Sequence, residues 1–342
     1  MPLEGCVRAE HSKKFDKENI QVLRRLFLHR TLLLLISGLI LFGLQGCGNR
    51  PKQAKPAKHP SVKTIRIGIL PEQDVFDQKV RYQPLADYVG RKLRIRIKLV
   101  LLPHYGSLID NFNTEQLDGA FFGSLSGAMA LDKLHVVPLV RPESKDGTST
   151  CYGIIFVRKD SGIRNGADMQ GKRFVFVDKA TTAGYLLPLH YFKEEGIADY
   201  HTWFNETYFA GTHEDAIYDV LKRKADIGAA KNTVFYRLAK TDRRLLEKLD
   251  ILATSPKVPE NCLALRHDFD RHYLTAFKDC LLKMDKSRQG RAVLDNFGAG
   301  RFIATTAADY QPVVDFAHHL GLDLTTYQYN NNLRASFQNQ KH

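Results

Sequence analysis

The stretch best placed to do chemistry is "VDKATTAGYLLP", residues 177–188. An apolar strand ends at Val177, two threonines, an alanine and a glycine follow, and an apolar helical pattern begins. Hydroxyls at a helix start serve one of two ends. They cap orphan N–H groups of the first turn, or the helix start holds an anion. With Thr181 near the N-cap, the N–H groups of Thr182, Ala183 and Gly184 point outward, and the positive end of the helix dipole adds to them. Ala183 and Gly184 leave room for a tetrahedral oxyanion, which needs several donors and no bulky neighbour. "GTHEDAI" at 211–217 repeats the logic, with His213 at the next helix start, placed to donate a hydrogen bond. Tyr105 in "LPHYGSL" and Tyr152 in "TCYGII" are candidate hydroxyl donors, and Ser126 belongs to the turn "GSLSG". Each residue alone also reads as an ordinary cap or packing residue, so capping and anion binding both stay open at this point.

No reactive constellation accompanies these turns. There is no G-x-S-x-G elbow, Walker A sequence or H-E-x-x-H. "DRHY" and "AHHL" carry histidines without matching ligands at metal-site spacing. Neither a metal nor another cofactor is expected, and an enzyme is disfavoured.

The elements that must position the turns alternate between strand and helix. "TIRIGILP", "IRIKLVLLP", "DGAFFGS" and "VVPLV" read as strands, separated by helical patterns in "YQPLADYVGRKL", "YGSLIDNFNTEQ" and "LSGAMALDKL". The rhythm restarts with the strands "CYGIIFVRKD", "GKRFVFVD", "ETYFAG" and "ADIGAAK". A helix is expected over 234–248, then the strands "ILATSP" and "CLALRHD", with helices filling most of the remainder. This alternation argues for parallel α/β sheets in two units. Two lobes joined by two extended crossings open a cleft at the carboxyl ends of the strands, where such sheets bind ligands. The turns at 103–107, 123–127, 178–184 and 211–214 converge there, which favours one shared anion site.

Composition sets the outer bounds. The chain has 342 residues, 44% hydrophobic and 25% charged, a globular balance long enough for two domains. The formal charge of +13 raises the question of nucleic acid, but no helix carries a dense basic stripe and no zinc-finger spacing occurs. Arg24, Arg25 and Arg30 precede the apolar run "LLLLISGLILFGL". That run is too short to span a bilayer comfortably and matches the pattern of an export signal. "LQGC" then resembles a bacterial lipobox, making Cys47 the expected lipidation site. "GNRPKQAKPAKHPSVK" reads as a flexible tether. Cys151 and Cys262 each begin one of the two crossings, which should run side by side, so a disulfide between them is expected, with Cys280 free.

The quoted turns, together with "YQPLADYVGRKL", "DGAFFGSLSGAMA", "YGIIFVRKDSGI" and "SPKVPENCLALRHD" in that order, resemble the substrate-binding lipoproteins of ABC importers for phosphonate, phosphite and phosphate. The resemblance runs from about residue 64 to residue 302. It implies a two-lobed, hinge-closing periplasmic binding protein of type II. The expected layout is a leader over 1–46, a linker over 47–63, one lobe from 64–150 and 262–320, a second from 151–261, and a tail over 321–342. It also implies that Thr181, Thr182, the N–H of Ala183 and His213 hold the oxyanion, with Tyr105 and Tyr152 as the cleft tyrosines. The usual turn is Ser-Thr-Ser-Gly; here Ala183 loses a hydroxyl but keeps its backbone donor. Members that bind aminoalkyl phosphonates place carboxylates opposite the anion, and the matching positions are Thr233 and Asn261, neither charged. Burying an unpaired ammonium costs several kcal/mol. The expected ligand is therefore phosphite, phosphate or a simple alkylphosphonate. The expected partners are a membrane permease and, through the lipid anchor, the membrane; the protein is expected to be a monomer at the cell envelope. A sensory module for the same ligands is the alternative.

Overall fold

The computed structural model describes residues 62–331; Cys47, the apolar run before it and most of the linker lie outside the described residues. Thirteen strands are present among the described residues: β1 Thr64–Ile69, β2 Arg96–Leu101, β3 Gly119–Phe122, β4 Val137–Glu143, β5 Thr150–Cys151, β6 Gly153–Arg158, β7 Arg173–Phe176, β8 Glu206–Phe209, β9 Ile227–Lys231, β10 Leu249–Thr254, β11 Val258–Pro259, β12 Cys262–Leu265 and β13 Arg301–Ala304. Six form a sheet in the order β13-β4-β12-β3-β1-β2, and five form a second sheet in the order β10-β6-β9-β7-β8. β5 and β11 make a separate two-stranded ribbon between them.

The sheets are mixed rather than parallel. β1 runs parallel to β2 and β3, and β7 parallel to β8 and β9. In contrast, β12 is antiparallel to β3 and β4, and β6 antiparallel to β9 and β10. The antiparallel strands are those on either side of the two crossings. A chain that leaves one sheet and re-enters the other has no crossover helix to force a parallel return.

Helices pack against both sheets. The helix Val75–Leu93 starts at Asp74, whose carboxylate accepts from the N–H groups of Phe76 and Asp77. It buries Gln78, Tyr82, Leu85 and Val89, spaced three and four apart on one face. Pro84 inside this helix leaves the Val80 carbonyl without its usual partner, and Asn296 Nδ2 donates to it at 3.1 Å. The helix expected over 234–248 is two, Asn232–Leu238 and Arg244–Lys248. Asp242 lies between them and accepts from the Arg244 N–H. Among the described residues no helix is long and apolar enough to cross a membrane.

The expected disulfide is not formed. Cys151 and Cys262 are both free and buried, and Cys280 is free. The crossings do pair, but the ribbon register sets Val258, not Cys262, opposite Cys151. Cys262 sits four residues further on, where its register partner is Phe122. The Cys151 thiol faces Ser124 and the Pro259 carbonyl instead.

The final described residues return across the molecule. The Tyr329 hydroxyl donates to Asp110 Oδ1 at 2.6 Å on the β2 side, and the Tyr327 hydroxyl to the Lys179 carbonyl at 2.8 Å on the β7 side. Asn331 Nδ2 donates to Asp178 Oδ2 at 3.0 Å.

Candidate functional site

A small cavity of about 30 Å³ lies where the ends of β1, β3, β7 and β9 meet the ribbon. Its walls include Tyr105, Tyr152, Thr181, Thr182, Ala183 and His213, so six of the sequence-derived candidates converge on it. Asn261 lines it as well.

The turn after β7 is built by Asp178. Its Oδ1 accepts from the Ala180 N–H at 2.8 Å, and its carbonyl accepts from both the Thr181 N–H at 3.0 Å and the Thr181 hydroxyl at 2.6 Å. The Thr181 hydroxyl is therefore spent inside the turn and is not a cavity donor. The helix then opens with a wide π-turn over Thr182–Leu186 before continuing as Leu187–Glu194. Gly184 is required there, because a Cβ would collide with the Val177 side chain. The N–H groups of Thr182, Ala183 and Gly184 stand at the helix start, where no intrahelical acceptor exists.

Among the described residues, the Thr182 hydroxyl and the Tyr105 hydroxyl are buried without any hydrogen-bond partner. A buried unmet hydroxyl costs roughly 1–3 kcal/mol, so two at one cavity point to a ligand. Burial holds the Tyr105 phenol far above its ordinary pKa, leaving it a neutral donor. Its ring meets the His213 ring edge-on at 5.9 Å between centroids.

His213 opens the helix His213–Leu221, whose N-cap Thr212 accepts from the Asp215 N–H at 2.9 Å. The His213 Nδ1 accepts from the Lys231 N–H at 3.2 Å. Burial pushes the imidazole pKa down to about 3, against a smaller upward pull from Glu72. The ring is thus neutral near pH 7 with its single proton on Nε2, which makes Nε2–H a donor.

Two expected residues are not at the cavity. Ser126 is fully buried and its Oγ accepts from the Gly123 N–H at 2.9 Å, capping the helix Ser124–Lys133. Ser124 lines the cavity in its place, but its hydroxyl donates to the Pro259 carbonyl at 2.7 Å. Thr233 lines a larger groove of about 640 Å³ with Tyr236, Arg237, Lys240 and Glu260, which shares Glu72 with the cavity.

Charge at the cavity comes from residues the sequence reading passed over. Lys231, the last residue of β9, is 5% exposed. Its Nζ donates to Glu260 Oε2 at 2.6 Å, Asn261 Oδ1 at 2.9 Å and Glu72 Oε1 at 3.1 Å. Asn261 Nδ2 in turn donates to Glu72 Oε1 at 2.9 Å, and Arg81 lies 3.6 Å from the other Glu72 oxygen. Burial alone would raise the Glu72 carboxyl, but Lys231, Arg81 and Arg237 outweigh it and hold the pKa well below the carboxylate range. Burial would likewise lower Lys231, and Glu260 and Glu72 outweigh it and raise the ammonium. The available signal was a lysine closing the otherwise apolar strand "IGAAK".

One group of metal-ligand types gathers among the described residues. His190, Glu194 and His319 bring their ligand atoms within 4.8 Å of one another. None of the three lines the cavity.

A family model described as "ABC transporter, phosphonate, periplasmic substrate-binding protein" matches residues 67–310. The phosphonates-binding periplasmic protein of Escherichia coli K12 is 24% identical over 260 residues, covering 75% of this chain and 76% of that protein. A probable ABC transporter phosphite-binding protein of Prochlorococcus marinus is 23% identical over 271 residues, covering 75% of this chain and 90% of that one. A solved structure from the same organism, in complex with methylphosphonate, superposes with a TM-score of 0.68 at 21% identity, covering 76% of this chain and 98% of that chain.

Proposed function

This chain belongs to the family of periplasmic phosphonate substrate-binding proteins of ABC transporters and has their two-lobed type II fold; from that membership we propose that it captures phosphite, phosphate or a simple alkylphosphonate and delivers it to a membrane permease. The observation that carries the ligand assignment is the pair of buried, unpartnered hydroxyls of Thr182 and Tyr105 on one small cavity. With His213 Nε2–H and the helix-start N–H groups of Thr182 and Ala183, they supply donors from three segments of the chain. A tetrahedral oxyanion with three terminal oxygens uses such a set. Tyr152 closes a further wall. The cavity is small: 30 Å³ is about two or three water-sized spheres at ~10–15 Å³ each, which favours a small ligand over a bulky one.

In this reading the lobes are 64–150 with 262–320, and 151–261, which follows the membership of the two sheets. The ribbon of β5 and β11 is the crossing about which they close. Export and attachment through a lipid on Cys47 rest on "LQGC". The reading asks for binding and release only, with no bond made or broken in the ligand.

The test is calorimetry of the mature protein with phosphite, phosphate, methylphosphonate, 2-aminoethylphosphonate and sulfate. Saturable binding of at least one of the first three is expected. Silence toward all three overturns the ligand assignment.

A further inference from the structure

Lys231 is a charged side chain lining the proposed anion site, yet its ammonium is fully engaged by protein acceptors. Glu260, Asn261 and Glu72 accept from it at 2.6, 2.9 and 3.1 Å, three bonds for its three N–H groups. Those acceptors come from chain segments that otherwise stand apart. Glu72 follows β1, while Glu260 and Asn261 lie between β11 and β12. Together they form a cage for one primary ammonium: Glu72, Asn261 and Lys231 line the cavity that also holds Thr182, Tyr105 and His213, and the partly exposed Glu260 lines the larger groove on the other side.

We propose that Lys231 is an internal ammonium that occupies this cage and thereby sets the specificity of the cavity against ligands carrying their own amine. The proposal rests on the phosphorus-oxyanion reading above. An ω-aminoalkyl phosphonate presents a second ammonium near the anion. With Lys231 in place that second ammonium has no free carboxylate and repels a like charge in a poorly screened site. Phosphite, phosphate and methylphosphonate place nothing there. The uncharged positions Thr233 and Asn261 are then not the reason for excluding an amine. Carboxylates are present beside Thr233, since Glu72 and Glu260 line the same groove, but both are already engaged by Lys231.

Removing the lysine ammonium should convert exclusion into recognition. In Lys231→Ala the cage retains Glu72, Glu260 and Asn261, and the chain leaves a space the length of an aminoalkyl arm. The experiment is calorimetry of the full mature protein and of Lys231→Ala with methylphosphonate and 2-aminoethylphosphonate. The parent is expected to bind methylphosphonate and to show no response to the amine. The variant is expected to gain at least about tenfold in 2-aminoethylphosphonate affinity, the scale of one charged hydrogen bond, and to weaken for methylphosphonate. Adding Glu260→Gln should abolish the gain. Ethylammonium should raise the melting temperature of Lys231→Ala, and tetramethylammonium, which has no N–H, should not. If Lys231→Ala does not fold, Lys231→Met preserves the apolar stem and is judged by the same criteria. A folded variant that still ignores the amine overturns the proposal. So does one that loses methylphosphonate with no gain, because Lys231 would then serve the anion directly. A parent that binds no phosphorus oxyanion at all sinks the earlier reading instead, and the ammonium rescue still decides whether the cage accepts an amine.

Discussion

Thr182→Val should move affinity and stability in opposite directions. Thr182 is 5% exposed and its Oγ1 has no partner among the described residues. Valine has nearly the same shape, so the substitution deletes the hydroxyl without opening a cavity. In the ligand-free protein that deletion relieves an unmet buried polar group, worth about 1 kcal/mol or somewhat more. For a domain of this size, that raises the melting temperature by roughly 2–4 °C. In the complex the same deletion removes a donor to a charged oxygen. Such a bond contributes about 1.5–3 kcal/mol, which weakens affinity about ten- to a hundredfold. Thr181→Val is the internal control, because its hydroxyl donates to the Asp178 carbonyl at 2.6 Å. It should lower stability by about 1 kcal/mol through a lost hydrogen bond and change affinity much less. The assays are calorimetry with the best ligand of the panel, and urea unfolding without ligand. Thr182→Val that loses stability while keeping full affinity refutes the assignment of this hydroxyl to the ligand.

His213 carries a pH signature. Its folded pKa is pushed down to about 3 from an ordinary 6.5, so the unfolded chain takes up a proton that the folded chain refuses. Its contribution to stability is complete above pH 6.5 and lost as pH falls from there toward 3, with a slope of up to about 1.4 kcal/mol per pH unit. Urea unfolding of parent and His213→Asn between pH 7.5 and 4.5 should show a steeper acid-side fall for the parent; parallel curves would contradict the buried neutral imidazole. The tail is predicted to support the site, since Tyr329 and Tyr327 tie the helix after Tyr105 to the turn before Thr181. Ending the chain after Leu320 should weaken ligand binding by about tenfold, the scale of one or two hydrogen bonds, and calorimetry showing unchanged affinity would remove that role.

Several elements could be read from local pattern alone. β1 and β2 alternate apolar residues with polar or charged ones, β7 and β9 are short, mostly apolar runs, and the helix starts after β7 and β8 carry their own hydroxyl and glycine signals. The convergence of Thr182, His213 and Tyr105 followed from placing those starts at the ends of neighbouring strands. Strand direction did not, because period-two hydrophobicity is the same whichever way a neighbour runs. The mixed sheets around the crossings and the two-helix break near Asp242 were settled by pairing and by local capping in three dimensions. β13, four residues in a region expected to be helical, exists because β4 offers it an edge. Which hydroxyls are spent was equally a tertiary matter: Thr181 and Ser126 turn back onto their own loops, while Thr182 does not. The separation of Cys151 from Cys262 depends on a register of two residue pairs. The cage around Lys231 joins residues 159 and 29 positions apart in the chain. A charge at the end of an apolar strand is visible in sequence, but the groups that make its burial tolerable are brought to it only when the two sheets and the ribbon come together.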